Sequence, residues 1–312
     1  MRLILYLLFI LTPMQIMAKS TLATTDIVDE QHLLKLLDEY IDRRELYTEQ
    51  KEEKIKQLKI KLRIAHNNDK RLSILDAIYR EYYTYNYDSA MVYVNRGLSL
   101  ALSDNNTYYV TLNRINRAAV LSTGGFYSQA ETLLNEIGEK NVPQQLKQYY
   151  YYTTTWLYNY WESFCDKSEF KNYYRQKKLQ FLRLTVNTTH SNYVGLYAYL
   201  SGELAYLENP LGKDVLRHYT IAINNSPVNS RVHASAAYCI ARYNRELGNM
   251  QLYEKYIVEA AISDIVCPLK ENLALQELST YLYKKNSKYA NYAARYIYIS
   301  MEDAQFYNNR LR

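Results

Sequence analysis

Glycine and proline are both scarce in this 312-residue chain, at 8 and 5 residues. Sheet proteins need frequent glycine-bearing turns, so the scarcity argues against an all-β fold and predicts long helices joined by short polar corners. Cysteine is nearly missing as well. Cys165, Cys239 and Cys267 are too few, and odd in number, for a disulfide framework. They are expected as free thiols, with Cys239–Cys267 the one pair to check for a bridge. Beyond the N-terminus no window offers the ~18 consecutive apolar residues that a membrane span needs. Nor is there a concentrated field of one charge: the net +6 is spread out, and its densest basic stretch, KEEKIKQLKIKLR at 51–63, interleaves lysine with glutamate and apolar residues. That pattern is a solvated helix face and predicts no nucleic-acid partner.

Catalytic signatures are lacking too. The five histidines, His32, His66, His190, His218 and His233, form no HExxH and no zinc spacing with cysteine. TGGFY at 123–127 lacks the lysine and preceding strand of a phosphate loop, and no GxSxG occurs. The paired carboxylates of MEDAQ (301–305) are adjacent and point apart on a helix. The expectation is a protein that binds and is not an enzyme, with no cofactor and no metal.

What is abundant is tyrosine, at 36 residues against 6 Phe and 2 Trp. A phenol packs like Phe but keeps a hydroxyl that needs water or a partner, so many half-buried ring positions are expected. The N-terminus is the other strong feature. Arg2, an apolar run broken by Pro13, and small residues after it read as a signal peptide over 1–20, cleaved after Ala18 or Ser20. With no cysteine there, a lipid anchor is not expected. The chain is therefore expected to be exported to the periplasm without a membrane span after cleavage; the alternative is an inner-membrane anchor formed by an uncleaved segment.

Residues 21–66 read as an N-terminal helical pair, with Leu33, Leu36, Leu37, Tyr40 and Ile41 on one face and Ile55, Leu58, Leu62 and Ala65 on another. From 67 to 312 the chain falls into a recurring unit: a long amphipathic helix, a polar corner, then a helix with an early small residue. The corners are 84–90, 123–130, 164–170, 208–215, 246–253 and 285–293, and their final residues lie about 40 apart. GGFYSQAETLL (124–134) and ELGNMQLYEKYIVEA (246–260) resemble the tetratricopeptide repeat. Gly125 and Gly248 suit the left-handed end of a first helix, and Ala118, Ala130, Ala241 and Ala260 permit close helix approach. The period exceeds that family's usual 34, and the last corner has no glycine. The resemblance implies an all-α, right-handed superhelical solenoid of tetratricopeptide-like helix pairs.

In such a solenoid QYYYYTTTWLYNYWESF (148–164), with nine aromatic rings in seventeen positions, is the first helix of the third unit. One broad arc holds Trp156, Tyr149, Tyr160, Phe164, Leu157, Tyr150, Trp161 and Tyr158 and is expected in the core. Tyr151 and Tyr152 share the polar strip with Thr155, Asn159 and Glu162. First helices line the concave face of a solenoid, which takes peptides or partner helices. The groove candidates are Tyr79, Tyr82 and Tyr83 in unit one; Tyr151, Tyr152, Thr155, Asn159 and Glu162 in unit three; and Tyr238, Arg242 and Arg245 in unit five. Tyrosine offers rigid amphipathic contact area and arginine planar contacts to carboxylates or rings. The competing reading is a rim of tyrosines left half-exposed by a thin solenoid.

Three stretches go further: LYTEQKEEKIKQLK (46–59), YYTYNYDSAMVYVNRGL (82–98) and the tail from EAAISDIVCPLKEN (259–272) to NNRLR (308–312). Together they resemble the periplasmic sensor half of a family of Bacteroidetes membrane-spanning transcriptional regulators. The resemblance implies tetratricopeptide-like repeats outside the membrane, followed by a span and a helix-turn-helix output. The sequence stops at NNRLR, before those parts, which implies a truncated or split regulator or a stand-alone partner. The function expected is capture of a protein or peptide ligand in the concave groove. A periplasmic glycan- or peptide-capture protein and an assembly scaffold are the alternatives.

Overall fold

The computed structural model describes residues 29–271 and 273–307, so the signal-peptide reading of 1–20 and the NNRLR terminus lie outside the described residues. The described residues hold fourteen α-helices and three short 3-10 turns. Helices α1 (Glu30–Asp42) and α2 (Arg44–Ile64) precede six antiparallel pairs. These are α3 (Asn68–Tyr82) with α4 (Tyr87–Ser103), α5 (Thr107–Thr123) with α6 (Tyr127–Ile137), and α7 (Lys147–Ser163) with α8 (Ser168–Thr188). Then come α9 (Val194–Glu208) with α10 (Lys213–Asn224), α11 (Arg231–Glu246) with α12 (Met250–Val266), and α13 (Leu273–Lys285) with α14 (Ala290–Tyr307). From α3 onward the helices pack mainly on their sequence neighbours, as in a tetratricopeptide array.

Local chemistry sets the boundaries. Asn67, Asn86, Asn106 and Ser230 cap α3, α4, α5 and α11 by accepting from an N–H three residues on. Gly125 and Gly248 take positive φ, 81° and 77°, at two of the corners, as their place in the repeat predicts. Ala118, Ala130, Ala241 and Ala260 are fully buried where paired helices approach. The cysteines are free.

The tyrosines explain how so polar a chain keeps its helices together. Ring after ring is buried while its hydroxyl donates to a glutamate, most of them on a neighbouring helix. Tyr158 reaches Glu131 at 2.7 Å, Tyr219 reaches Glu203 at 2.6 Å, Tyr206 reaches Glu246 at 2.8 Å and Tyr238 reaches Glu277 at 2.6 Å. A charge-assisted bond of this kind is stronger than a neutral one, so each such tyrosine joins apolar burial to a polar tie.

The two ends of the array meet. Leu33, Leu34, Leu37 and Ile41 of α1 enter the same core as α12, α13 and α14. Around that seam Lys285 and the Tyr289 hydroxyl bind Glu30, while Arg295 pairs with Asp38 and Asp42. Helix α2 then runs to the first pair, where Lys51 and Lys54 hold Glu81 at 3.1 and 2.6 Å. At the far end the tip of α14 lies on the α3–α4 corner, and Tyr307 shares a core with Tyr79, Tyr82, Tyr85 and Val120. Helices α1 and α2 therefore do not stack on one another as a closed hairpin: α1 packs on α12, with side-chain ties to α13 and α14, and α2 packs on α3 of the first pair.

Candidate functional site

The first helices α3, α5 and α7 share an inner face, and closure brings the start of α11 within side-chain reach of it. A crevice of about 20 Å³, room for about one water, lies between Tyr83 at the end of α3, Ala119 and Ser122 of α5, and a row from α7: Tyr149, Tyr152, Thr153, Trp156 and Tyr160. Arg231, the first residue of α11, reaches in from across the array with its guanidinium 5.5 Å from the Tyr83 ring centre. Its carboxylate partner, Glu271, is 3.6 Å away, too far for a direct hydrogen bond. The Arg231 side chain stays 36% exposed, so it lies in the wall and not beneath it.

Polar atoms remain unspent in this wall. Trp156 Nε1 and Thr153 Oγ1 are both buried and have no hydrogen-bond partner. A buried N–H without an acceptor costs about 1–3 kcal/mol. The Trp156 ring runs parallel to Tyr199, with 6.4 Å between centres and 8° between planes. The Tyr79 and Tyr149 hydroxyls are 3.3 Å apart. Burial pushes the phenols of Tyr83, Tyr149 and Tyr160 above their ordinary range, so their hydroxyls keep their protons at neutral pH. The wall thus offers several N–H and O–H donors, flat ring faces and one guanidinium around a single carboxylate.

Of the residues singled out from sequence, Tyr83 and Tyr152 line this crevice. Tyr79 is buried behind it and touches it only through Tyr149. Tyr82 is buried too, its hydroxyl accepting from Lys59 at 2.8 Å. Tyr151 and Thr155, placed on an exposed strip by the helical pattern, are buried: Tyr151 donates to Glu139 at 2.6 Å, and Thr155 bonds its own helix and Thr185 of α8. Burial beside Glu139 pushes the Tyr151 phenol up to about 12. The strip is covered because α8 packs along it. Glu162 and Asn159 turn to Lys178 of α8 and are engaged within their own helix pair. Tyr238 and Arg245 both hold Glu277 of α13, and Arg242 stacks 4.1 Å over Tyr206, which places unit five's residues in a separate cluster. Phe164, expected in the core arc, is 52% exposed at the helix end.

Tyr149, Trp156 and Tyr160, expected in the core, are half-buried: Tyr149 and Trp156 pack against core clusters, and all three also line the crevice. Arg231 and Glu271 carried no signal at all, since only closure of the array brings them to α3 and α7. Among the described residues no group of three or more His, Cys, Asp or Glu could hold a metal. No described helix is long and apolar enough to cross a membrane.

The sequential helix pairs accord with the family comparison: residues 41–312 match the model of the SusR N-terminal TPR domain. The chain belongs to that family. SusR is a Bacteroidetes sensor regulator, and this domain is the N-terminal part of such a regulator. No curated protein matches the chain. A TPR domain is a binding architecture, and no catalytic family is indicated for this SusR-type domain.

Proposed function

We propose that this SusR-type TPR domain is the sensory, protein-interaction part of an envelope transcriptional regulator. On this reading it is exported to the periplasm, with residues from 67 onward as the repeat array and the helices before them as its cap. The ligand is taken on the inner wall at Tyr83, Tyr152, Trp156, Tyr160 and Arg231. The observation that supports this is the pair of unpartnered buried groups, Trp156 Nε1 and Thr153 Oγ1, in a wall of flat rings beside a loosely paired arginine. Buried polar groups are ordinarily satisfied, and one left open in a native structure needs an explanation; a ligand oxygen supplies it.

The crevice as it stands has no room for an extended peptide. A ligand must part the rings, and binding then selects a more open arrangement of the same helix pairs. A peptide or protein would insert one side chain or turn. A glycan is the second reading, favoured by the rings of Tyr152, Trp156 and Tyr160 in the crevice wall beside open hydrogen-bond donors. Trp161→Phe leaves Trp156 as the single tryptophan. Titrating that variant with peptide and oligosaccharide panels should change Trp156 emission for one class, with loss of the response in Arg231→Met. Binding that survives both Arg231→Met and Tyr152→Ala would place the site elsewhere.

A further inference from the structure

Tyr83 belongs to two structures at once. Its ring lines the crevice, while its backbone carbonyl accepts the Tyr307 hydroxyl at 3.1 Å. The same hydroxyl lies 3.0 Å from Thr123 Oγ1, and Thr123 ends α5 one residue after Ser122 of the crevice. Around this point the tip of α14 is tied down repeatedly. The Phe306 ring is 5.0 Å from Tyr85, and the Phe306 carbonyl accepts from Asn86 Nδ2 at 3.2 Å. The link before α13 adds to the tie: Lys270 donates its N–H to the Thr84 carbonyl at 3.0 Å, and its ammonium pairs with Asp303 of α14 at 2.5 Å. The next residue, Glu271, faces Arg231.

We propose that the tip of α14 is a latch on the 83–86 corner whose closure is coupled to the crevice through Tyr83 and Thr123, so that opening the crevice and releasing α14 are one equilibrium. This inference rests on the crevice being the ligand site, and it assigns that site its output. Tyr83 carries both the ring in the crevice and the carbonyl in the latch, so a ligand that displaces its backbone, and does more than rotate the ring about its χ angles, disturbs both together. The hydroxyl of Tyr307, in a residue 1% exposed, then loses one of its two acceptors and is left with Thr123 Oγ1 alone of the pair, in a place where water does not replace the other. Coupling of this kind is reciprocal: whatever releases the latch must also open the crevice. That makes it testable without knowing the ligand.

The test uses the full chain carrying Trp161→Phe, with acrylamide as a neutral quencher of Trp156 emission and amide hydrogen exchange over 300–307. Tyr307→Phe, which keeps the ring and removes the hydroxyl, should speed exchange in that segment about fivefold, the equivalent of one net hydrogen bond. It should raise quenching of Trp156 in the same protein. Thr123→Val should act in the same direction, and Tyr298→Phe, on an exposed face of α14, should change neither. Faster exchange with unchanged quenching would overturn the coupling, and unchanged exchange would overturn the latch. Neither result touches the ligand titrations, which stand or fall on binding alone.

Discussion

The seam between α1 and the end of the array lends itself to a decisive perturbation, because two kinds of interaction share it. Leu37 is fully buried there, with Leu33 and Leu34 each 2% exposed beside it. Arg295 also pairs with Asp38 at 2.9 Å and with Asp42, whose side chain is 67% exposed. An exposed ion pair contributes about 0–1 kcal/mol. Burial pushes the Asp38 carboxyl above its ordinary value despite Arg295, so desolvation there outweighs attraction. Truncating a buried leucine to alanine costs about 3 kcal/mol. Leu37→Ala should therefore accelerate hydrogen exchange in α1 by roughly 150-fold if α1 opens locally, or lower the urea midpoint by about 1 M if the whole domain unfolds together. Asp42→Asn should change neither by more than about 1 kcal/mol. Equal effects from the two variants, or α1 amides unmoved by Leu37→Ala, would refute the claim that apolar burial closes the array.

Three further outcomes follow from single residues. Trp156→Phe removes an unpartnered N–H while leaving a smaller ring, two effects of opposite sign, so chemical denaturation should show a net change below about 1 kcal/mol, where an ordinary core truncation would cost more. A Cβ on Gly202 would lie 2.6 Å from the Tyr219 ring, whereas one on Gly248 meets nothing within 4 Å. Gly202→Ala should thus cost about 1–3 kcal/mol through overpacking, and Gly248→Ala about 1 kcal/mol through its positive φ alone. Glu81 is pulled below its ordinary carboxylate value: burial opposes this, but Lys51 and Lys54 outweigh it. A depressed folded pKa gives stability that is present above the unfolded value near 4.5 and lost as pH falls through the folded one. Glu81→Gln should therefore flatten the acid limb of a stability–pH curve between about pH 5 and 2, and an unchanged limb would reject the assignment.

The six corners were legible because a polar break between periodic apolar runs, glycine-bearing in three of them, is a local signal. Each expected corner holds an observed helix end, from Tyr82–Tyr87 to Lys285–Ala290. The inner wall was not legible, and α7 shows why. Helical periodicity sorts residues into faces but does not say how many faces a neighbour covers. The polar strip with Thr155 reads as groove-facing, yet Thr155 spends its hydroxyl on the carbonyl of Tyr151, four residues back, as its neighbour Thr154 does on that of Tyr150. Satisfied in this way, a threonine face can be buried. Tyr83 and Tyr152 are groove candidates by their offsets from the repeat corners, and the structure puts both on the crevice. Arg231 could not be found, since Ser230 caps its helix as any serine would and only the meeting of distant units gives the arginine its ring partners. The tyrosine–glutamate ties are likewise invisible in sequence: Tyr206 and Glu246 stand 40 residues apart.

Closure also changes what kind of repeat protein this is. In an open array each unit touches only its neighbours, and stability is close to a sum of local terms that can be lost piecemeal. Here contacts such as Tyr307 with Thr123, Arg44 with Glu302 and α1 with the α12–α14 core join residues more than 180 positions apart. Losing the first pair exposes the last, and the reverse. Thermal unfolding followed by far-ultraviolet dichroism and by Trp156 emission should then give coincident transitions, as expected of one cooperative unit. Leu37→Ala, by freeing one end, should pull the two apart. An open array that unfolded in coincident stages without its clasp would need another source of cooperativity. For the sensing role proposed above, closure matters mechanically: a strain introduced at the inner wall meets helices tied at both ends of the described array, α14 among them.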